Sequence, residues 1–502
     1  MPRPLPKLGV RLHQTDMLKM RFGHWSTHTC PSGVTKSLWG PSTIMRGQEV
    51  GVANPQTTST PLADLQNQYA IIDLSGETRV VDRLQIADVL SGKLGVDPAF
   101  YKKSDATIWM KRVLETLPYP LFDPGTVIKN FWVDPGTVVY QGTAFKPPPS
   151  STTALNFWVG PCAPDSQGSA TFILKYLLEV ICGGDTSSFD YLIRYLAHMV
   201  QRPEEKPGVM LVLLGRQGTG KGMFFNLLRA IWSRTTLLVT DIDQVVGRFN
   251  ACLERNYAVC MDEALFAGDR KALDRLKSMI TEPHINIEQK YQPARSIESV
   301  HRFFAASNHD HFAHVELDDR RFVFLAVSDI HQQDAKYFAQ LAANLHDPTA
   351  VGAFVHHLQG LDISSFNVRR KPNTGQHLVQ KIKSLQGVAR YWYEVLLAGD
   401  LDAGVNHFGV RTFWTGQIFM PTSELVRHYT NFNKNAQRHQ TVQSGDVLST
   451  IQSLCPSAAN ARQLCHQNGL AVKVQKRGLQ LPDIAIARAE FEKVIGGSIQ
   501  WV

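Results

Sequence analysis

The spacing of apolar and polar positions changes several times along the 502 residues. Residues 1–60 hold no period. Pro2, Pro4 and Pro6 open the chain and a Gly/Ser/Thr/Pro-rich run closes the stretch from Gly47 to Pro61, which predicts an irregular N-terminal segment. Residues 61–160 read as a mixed, β-leaning domain. Tyr69-Ala-Ile-Ile-Asp73 has the pattern of a strand, and Asp123-Pro-Gly-Thr-Val127 recurs as Asp134-Pro-Gly-Thr-Val138. Each copy is a turn feeding a β-branched residue, so neighbouring hairpins are expected. Pro147, Pro148 and Pro149 make a stiff connector. From Thr171 to Gln201 the spacing becomes helical, through Phe172, Leu174, Leu177 and Leu178 and then Tyr191, Leu192, Tyr195, Leu196 and Met199. Two helices broken at Gly183-Gly184 form an expected collar over 161–206.

Pro203 and Pro207-Gly208 mark a boundary before a core placed at 207–335. Helical spacing resumes from Ala335 to Leu361, and Arg369-Arg370-Lys371-Pro372 is a polar linker, so 336–380 reads as helices and linker. Residues 381–502 form their own unit. There, helical patterns at Pro421 to Asn431 and Ser444 to Leu454 precede an alternating run, Leu470 to Val474. Gln475-Lys476-Arg477-Gly478 then predicts a turn back into Leu479-Gln-Leu481. Helix, helix and a basic-tipped hairpin describe a winged-helix-like module with Lys476 and Arg477 on the wing as candidate DNA contacts. A solvated charged surface is the alternative for these two residues.

The core carries the chemistry. The apolar run Leu211 to Leu214 enters Gly215-Arg216-Gln217-Gly218-Thr219-Gly220-Lys221-Gly222, and a helical pattern follows from Met223 to Trp232. Glycines at these positions let successive N–H groups turn toward one point, and Lys221 places a charge where the β- and γ-phosphates of a nucleotide would lie. Gly215, Gln217, Gly218, Thr219, Gly220, Lys221 and Gly222 are the candidate nucleotide-binding residues. Position 222 departs from the pattern, because the hydroxyl that ordinarily follows the lysine and ligates Mg²⁺ is missing. Tyr257-Ala-Val-Cys-Met-Asp262-Glu263 is an apolar strand ending in two carboxylates. Asp262 is assigned to Mg²⁺ and Glu263 to the attacking water. A third strand, Phe303 to Ala306, ends in Ser307-Asn308, an amide able to orient water beside a γ-phosphate.

These elements stand 41, 46 and 13 positions apart, from Lys221 to Asp262, Asn308 and Arg321. In that order they resemble the superfamily 3 helicases, AAA+ ring ATPases of small DNA viruses, poxviruses and phages. The likeness is greatest to the phage and mobile-element primase-helicase type. The resemblance also covers Ile287-Glu-Gln-Lys290-Tyr291 and Asp318-Asp-Arg320-Arg321-Phe322. It is specific over the core, weaker in 62–206 and the C-terminal unit, and does not extend to 1–60. It implies an α/β fold with a P-loop AAA+ core, an N-terminal α+β and collar region, and a C-terminal winged-helix-like module. It further implies ATP and Mg²⁺ as cofactors and a homo-oligomeric ring, with six subunits the expected number. Arg321, with Arg320 as the alternative, becomes a finger entering the neighbouring subunit's site, unless the pair only bridges to Asp318 and Asp319. Lys290 and Tyr291 become pore contacts to DNA, against the plainer reading of a solvated hairpin tip.

Composition narrows the setting. A net charge of +8 makes a polyanionic partner reasonable. From 381 onward thirteen Lys/Arg oppose eight acids, an excess of five. Seven cysteines are scattered, never in C-x-x-C spacing, which points to a reducing compartment. His24, His28 and Cys30 lack a fourth ligand at zinc-like spacing and read as loop residues. No apolar run is long enough to span a bilayer, so no membrane partner and the cytoplasm of a bacterial host are expected. The expected function is ATP-dependent DNA unwinding in replication of a phage or mobile element, on single-stranded or forked DNA. Priming is left to a separate primase or polymerase, because no D-x-D pair is read on a strand and no zinc ribbon is seen. The alternative is an ATP-regulated DNA-binding initiator or assembly ATPase with little unwinding.

Overall fold

The computed structural model describes residues 60–74, 76–91, 98–119, 121–263, 270–290, 294–308, 319–372, 375–401, 414, 416–435, 443–466 and 473–501. The N-terminal segment, with His24, His28 and Cys30, lies outside them, as do Tyr291 and Asp318.

The first unit mixes helices and strands: α1 (Pro61–Gln68), β1 (Tyr69–Leu74), β2 (Glu77–Asp82), α2 (Arg83–Ser91), β3 (Phe100–Lys102), α3 (Lys103–Thr116), α4 (Pro124–Phe131) and β4 (Val139–Tyr140). The four strands pair in the order β3-β2-β1-β4. The unit is mixed as expected, but the lean toward strand is corrected, since four helices accompany this small sheet. The expected paired hairpins are corrected too. Asp123 caps α4, its carboxylate accepting from the N–H groups of Gly125 at 3.2 Å and Thr126 at 2.9 Å. Pro124 sits in the first helical turn, where its missing N–H costs nothing. Ile128 and Phe131, three apart, then bury one helical face. Only the second copy, at Asp134, is a turn leading into a strand. Short β5 (Thr143–Ala144) and β6 (Leu155–Asn156) close the unit.

The expected helical pair follows as α5 (Thr171–Tyr176), a π-helical turn over Leu177–Ile181, and α6 (Thr186–Gln201). Gly183 and Gly184 both take positive φ between them, as the break requires.

The core strands are β7 (Met210–Leu214), β8 (Thr236–Val239), β9 (Ala258–Asp262), β12 (Arg302–Ser307) and β13 (Phe322–Ala326). Between them lie α7 (Lys221–Ile231), α8 (Asp243–Val246), α9 (Arg270–Thr281) and the ribbon β10 (His284–Ile287) and β11 (Arg295–Glu298). The five strands are all parallel, in the order β13-β7-β12-β9-β8. Being covered on both faces, they read as unbroken apolar runs. Successive residues alternate between two cores: Leu211, Leu213, Phe304, Val323 and Leu325 on one face, Met210, Val212, Phe303, Phe322 and Phe324 on the other. The first face packs against α5, α6 and α7 and against α10 (Ala335–His346) and α11 (Pro348–Gly360), so collar, sheet and following helices share one core.

The C-terminal unit runs α12 (Gly375–Ser384), α13 (Gly387–Ala398), β14 (Ile418–Pro421), α14 (Thr422–Asn435), α15 (Ser444–Leu454), β15 (Ala459–His466), β16 (Lys473–Leu481) and α16 (Ile484–Ile495) around Trp392, Trp414 and Phe491. Its sheet order is β14-β16-β15. The expected turn at Gln475–Gly478 is corrected: Lys476 and Arg477 lie in mid-strand, opposite Gln463 and Arg462. Gly478 serves a close approach instead, because a Cβ there would lie 2.0 Å from the Met420 carbonyl oxygen on β14.

Candidate functional site

In an open parallel sheet the carboxyl ends of the strands face a crevice where neighbouring connections leave in opposite directions. Here β7 leaves through α7 toward β8, while β12 crosses past β7 to β13. The ends of β7, β9 and β12 therefore surround one crevice, and the expected nucleotide residues lie at it.

Gly215 follows β7, and the loop closes at Gly220 with φ of +95° before α7. A Cβ at Gly220 would come within 2.5 Å of the Phe338 ring, so both backbone angle and space demand glycine. The loop is held from outside. Tyr176 OH donates to the Gly220 carbonyl at 3.0 Å, Gln332 Nε2 to the Gln217 carbonyl at 2.9 Å, and Gln333 N–H to the Gly218 carbonyl at 3.0 Å. Thr219 Oγ1 donates to the Arg216 carbonyl at 2.8 Å. Arg216 itself reaches Asp329 at 3.6 Å.

Lys221 is buried, and its ammonium donates to the carbonyls of Gly215 and Arg216, each at 2.8 Å, and to Asn308 Oδ1 at 2.5 Å. Burial pulls this ammonium below the usual lysine range, against the opposing pull of Glu263 and Asp262. Asn308 Nδ2 in turn donates to Glu263 Oε1. One chain of contacts thus joins the loop lysine, the tip of β12 and the residue after β9. Asp262 ends β9 opposite Ala306, and burial, with Glu263 adding to it, raises its carboxyl despite Lys221. Glu263 has φ of +52°, a conformation uncommon outside glycine, and its N–H is fixed on the Ala306 carbonyl at 3.0 Å. Such a backbone persists where surrounding bonds over-determine it, and this one aims the carboxylate at Asn308.

Asp262 with Glu263 beside it suits a hard cation that takes most of its ligands from phosphate and water. Gly222 contributes no side chain, and Thr219 turns its hydroxyl to Arg216. A Cβ at Gly222 would meet nothing within 4 Å, so the missing hydroxyl is not imposed by space. Gly222→Ser should therefore fold normally and raise turnover several-fold, with half-saturation at lower Mg²⁺. Gly220→Ala should lose both folding and activity. ATPase titrations against Mg²⁺, with melting curves, check the pair; an unchanged Mg²⁺ profile for Gly222→Ser would show that the hydroxyl is dispensable.

Arg321 is not brought to this crevice. Its carbonyl accepts from Met210 N–H at 2.8 Å, at the amino end of β7. Five strand residues, about 16 Å, separate it from the glycine-rich loop. It lies 4.0 Å from Asp319, whose Oδ1 accepts from the N–H groups of Arg321 and Phe322. Arg320 is exposed. Lys290, also exposed, sits just past β10 on the ribbon.

Sequence reading passed over a neighbour of that ribbon. Arg248 and Phe249 follow α8; Phe249 is 52% exposed, with the Arg248 guanidinium 5.5 Å from its ring centroid. Arg248 pairs with Glu288 at 2.8 Å, and Asn250 bonds both the Asn286 carbonyl and the Glu288 N–H at 3.0 Å. The loop is thus fastened to the base of the ribbon that carries Lys290. Local spacing held no signal for it, because the contacts span about 40 positions.

Comparison with known proteins covers this region. A family of unknown function, DUF5906, matches residues 213–321. The DNA Primase-polymerase of Nitratiruptor phage NrS-1 is 30% identical over 163 residues, 32% of this chain and 22% of that protein, so the match spans about a fifth of the relative's length. An apo structure of the NrS-1 C-terminal region (305-718) superposes with a TM-score of 0.57 at 16% identity, covering 85% of this chain and all of that one. The A form apo structure of the same region gives 0.58 at 16% identity, covering 84% and 100%. The shared fold therefore extends well beyond the stretch of sequence similarity. Among the described residues no helix is long and apolar enough to cross a membrane.

Proposed function

We propose that this chain is an ATP-driven DNA helicase of a phage or mobile element, working as a homo-oligomeric ring. The observation that carries the reading is the contact chain from Lys221 through Asn308 to Glu263 across three neighbouring strand ends. It links the group that would hold the phosphates to the base that would activate water, through an amide able to sense what lies between them. Mg²⁺, when bound, supplies charge neutralisation on the β- and γ-oxygens. Lys221 and the loop amides would bind the phosphates, Asp262 would hold the ion, Glu263 would take the proton from water, and Asn308 would orient that water. The strand order, with the phosphate-loop strand between the fifth and fourth, is the AAA+ order and supports assignment to that class. The likeness to the phage primase-polymerase and its C-terminal region supports a role in phage DNA replication, with primers supplied by a primase or polymerase activity.

Arg321 lies far from its own crevice and beside Asp319, and in this reading it would act on a neighbouring subunit of a ring of about six. The ribbon with Lys290, and beside it Arg248 and Phe249, would line the pore and hold single-stranded DNA. In the C-terminal unit, a helix, strand, helix, helix and two-stranded ribbon succeed one another, the order of a winged helix. Arg462, Lys473, Lys476 and Arg477 stand on that ribbon without an acid among its strands, which favours duplex or forked DNA as its ligand.

A forked-duplex assay with ATP tests the proposal. Lys290→Ala should retain ATPase and lose strand displacement roughly tenfold or more, as loss of a stepped phosphate contact would require. Unchanged displacement would remove Lys290 from the pore. The second reading, an initiator or assembly ATPase, is favoured by Gly222; ATP-dependent assembly without displacement by the wild-type chain would establish it instead.

A further inference from the structure

We propose that the outer face of α3, in the N-terminal unit, is a binding surface for single-stranded DNA, separate from the pore. Helix α3 buries Ala106, Met110 and Leu114 and turns Ile108 and Trp109 outward, 57% and 48% exposed. Large side chains left in water together on one helix mark a surface with a partner. Cations accompany the rings. The Arg112 guanidinium lies 5.1 Å from the Trp109 ring centroid, and the Lys103 ammonium lies 4.5 Å from that of Trp132, at the end of α4. The six residues from Lys103 to Trp109 rise about 9 Å along the helix and turn about 120° round it, so Trp109 with Arg112 is the stacking pair of this face and Lys103 with Trp132 lies round the helix from it.

Charge selects among partners. Lys103, Lys111 and Arg112 are exposed, and none belongs to an ion pair among the described residues. Three acids share the neighbourhood: Asp123 caps α4 and feels the Lys111 charge, Asp105 accepts from Ser104 Oγ, and Glu115 stands exposed one turn beyond Lys111 and Arg112. A polyanion whose bases can lie on indole rings meets both features. Duplex DNA, with its bases stacked inside, would use the cations and leave Trp109 idle. The contacts sit on an element that carries no part of the nucleotide site, so the surface does not depend on the helicase reading.

The test uses the full chain without nucleotide, in the Lys290→Ala background to silence the ribbon, and a labelled 20-mer of thymidine followed by anisotropy. Trp109→Ala should weaken binding roughly 5- to 100-fold, as loss of a stacked base does, while Trp109→Phe restores most of it. Lys111→Ala/Arg112→Ala should weaken binding and lower the slope of log affinity against log salt by about 1 to 2. A bromouracil strand should photocrosslink to the peptide holding Trp109. Unchanged affinity in both variants with no crosslink there would overturn the proposal. So would a fall in oligomer size by light scattering with DNA affinity intact, which would make the face a subunit contact. ATPase and unwinding by the wild-type chain are read separately, so failure here and failure of the helicase reading stay distinguishable.

Discussion

Lys221→Ala is expected to reduce ATP hydrolysis by roughly 100-fold or more, to background, and to abolish strand displacement. The ammonium is the loop's own contact to the tip of β12. It is buried, drawn into the loop by the Gly215 and Arg216 carbonyls, and in contact with Asn308. The fold should survive, because Tyr176, Gln332 and Gln333 hold the loop through three other carbonyls. A melting temperature within a few degrees of wild type, with nucleotide binding lost in a fluorescent-ATP titration, is the expected pair of results. Robust hydrolysis by Lys221→Ala would remove this loop as the source of the activity.

Glu263→Gln should separate binding from chemistry. Glutamine keeps the shape and an oxygen to accept from Asn308 Nδ2, but cannot take a proton from water. Loss of a general base costs roughly 10²- to 10⁴-fold in rate, so kcat should fall by that factor while ATP affinity holds or improves. ATP-bound rings should then accumulate, visible by light scattering or electron microscopy. A variant hydrolysing within threefold of wild type would mean that another group activates the water. The left-handed backbone at 263 makes glutamine the right replacement, since a β-branched residue would add strain of its own.

How much of this was legible depends on the range of the forces involved. The strand, loop and helix over Met210 to Ile231 could be read because a buried parallel strand is an unbroken apolar run and the loop's glycines answer a local geometric need. Asp262, Asn308 and Arg321 could be placed because each sits at a strand end, and strand ends follow from where apolar runs stop. The break at Gly183-Gly184 was local as well.

Other features were decided at a distance. Asp-Pro-Gly-Thr is a helix cap at 123 and a turn at 134; Ile128 and Phe131 enter the core after the first, while Val139 and Tyr140 pair with β1 after the second. Lys476-Arg477-Gly478 has the composition of a turn, yet Gly478 answers the close approach of Met420 across a sheet. Arg248 and Phe249 gain a role only through Glu288 and Asn250, and the outward ring of Trp109 only from knowing which side of α3 is covered. By itself, the sequence determined the glycine-rich loop between strand and helix, the two carboxylates and the order of elements behind them, all consequences of local geometry and burial period. Only the tertiary structure joined Lys221 to Asn308 and Glu263 and left Arg321 at the amino end of the strands, away from that crevice. Those relations depend on which strands become neighbours, and neighbourhood is settled by packing across the whole core.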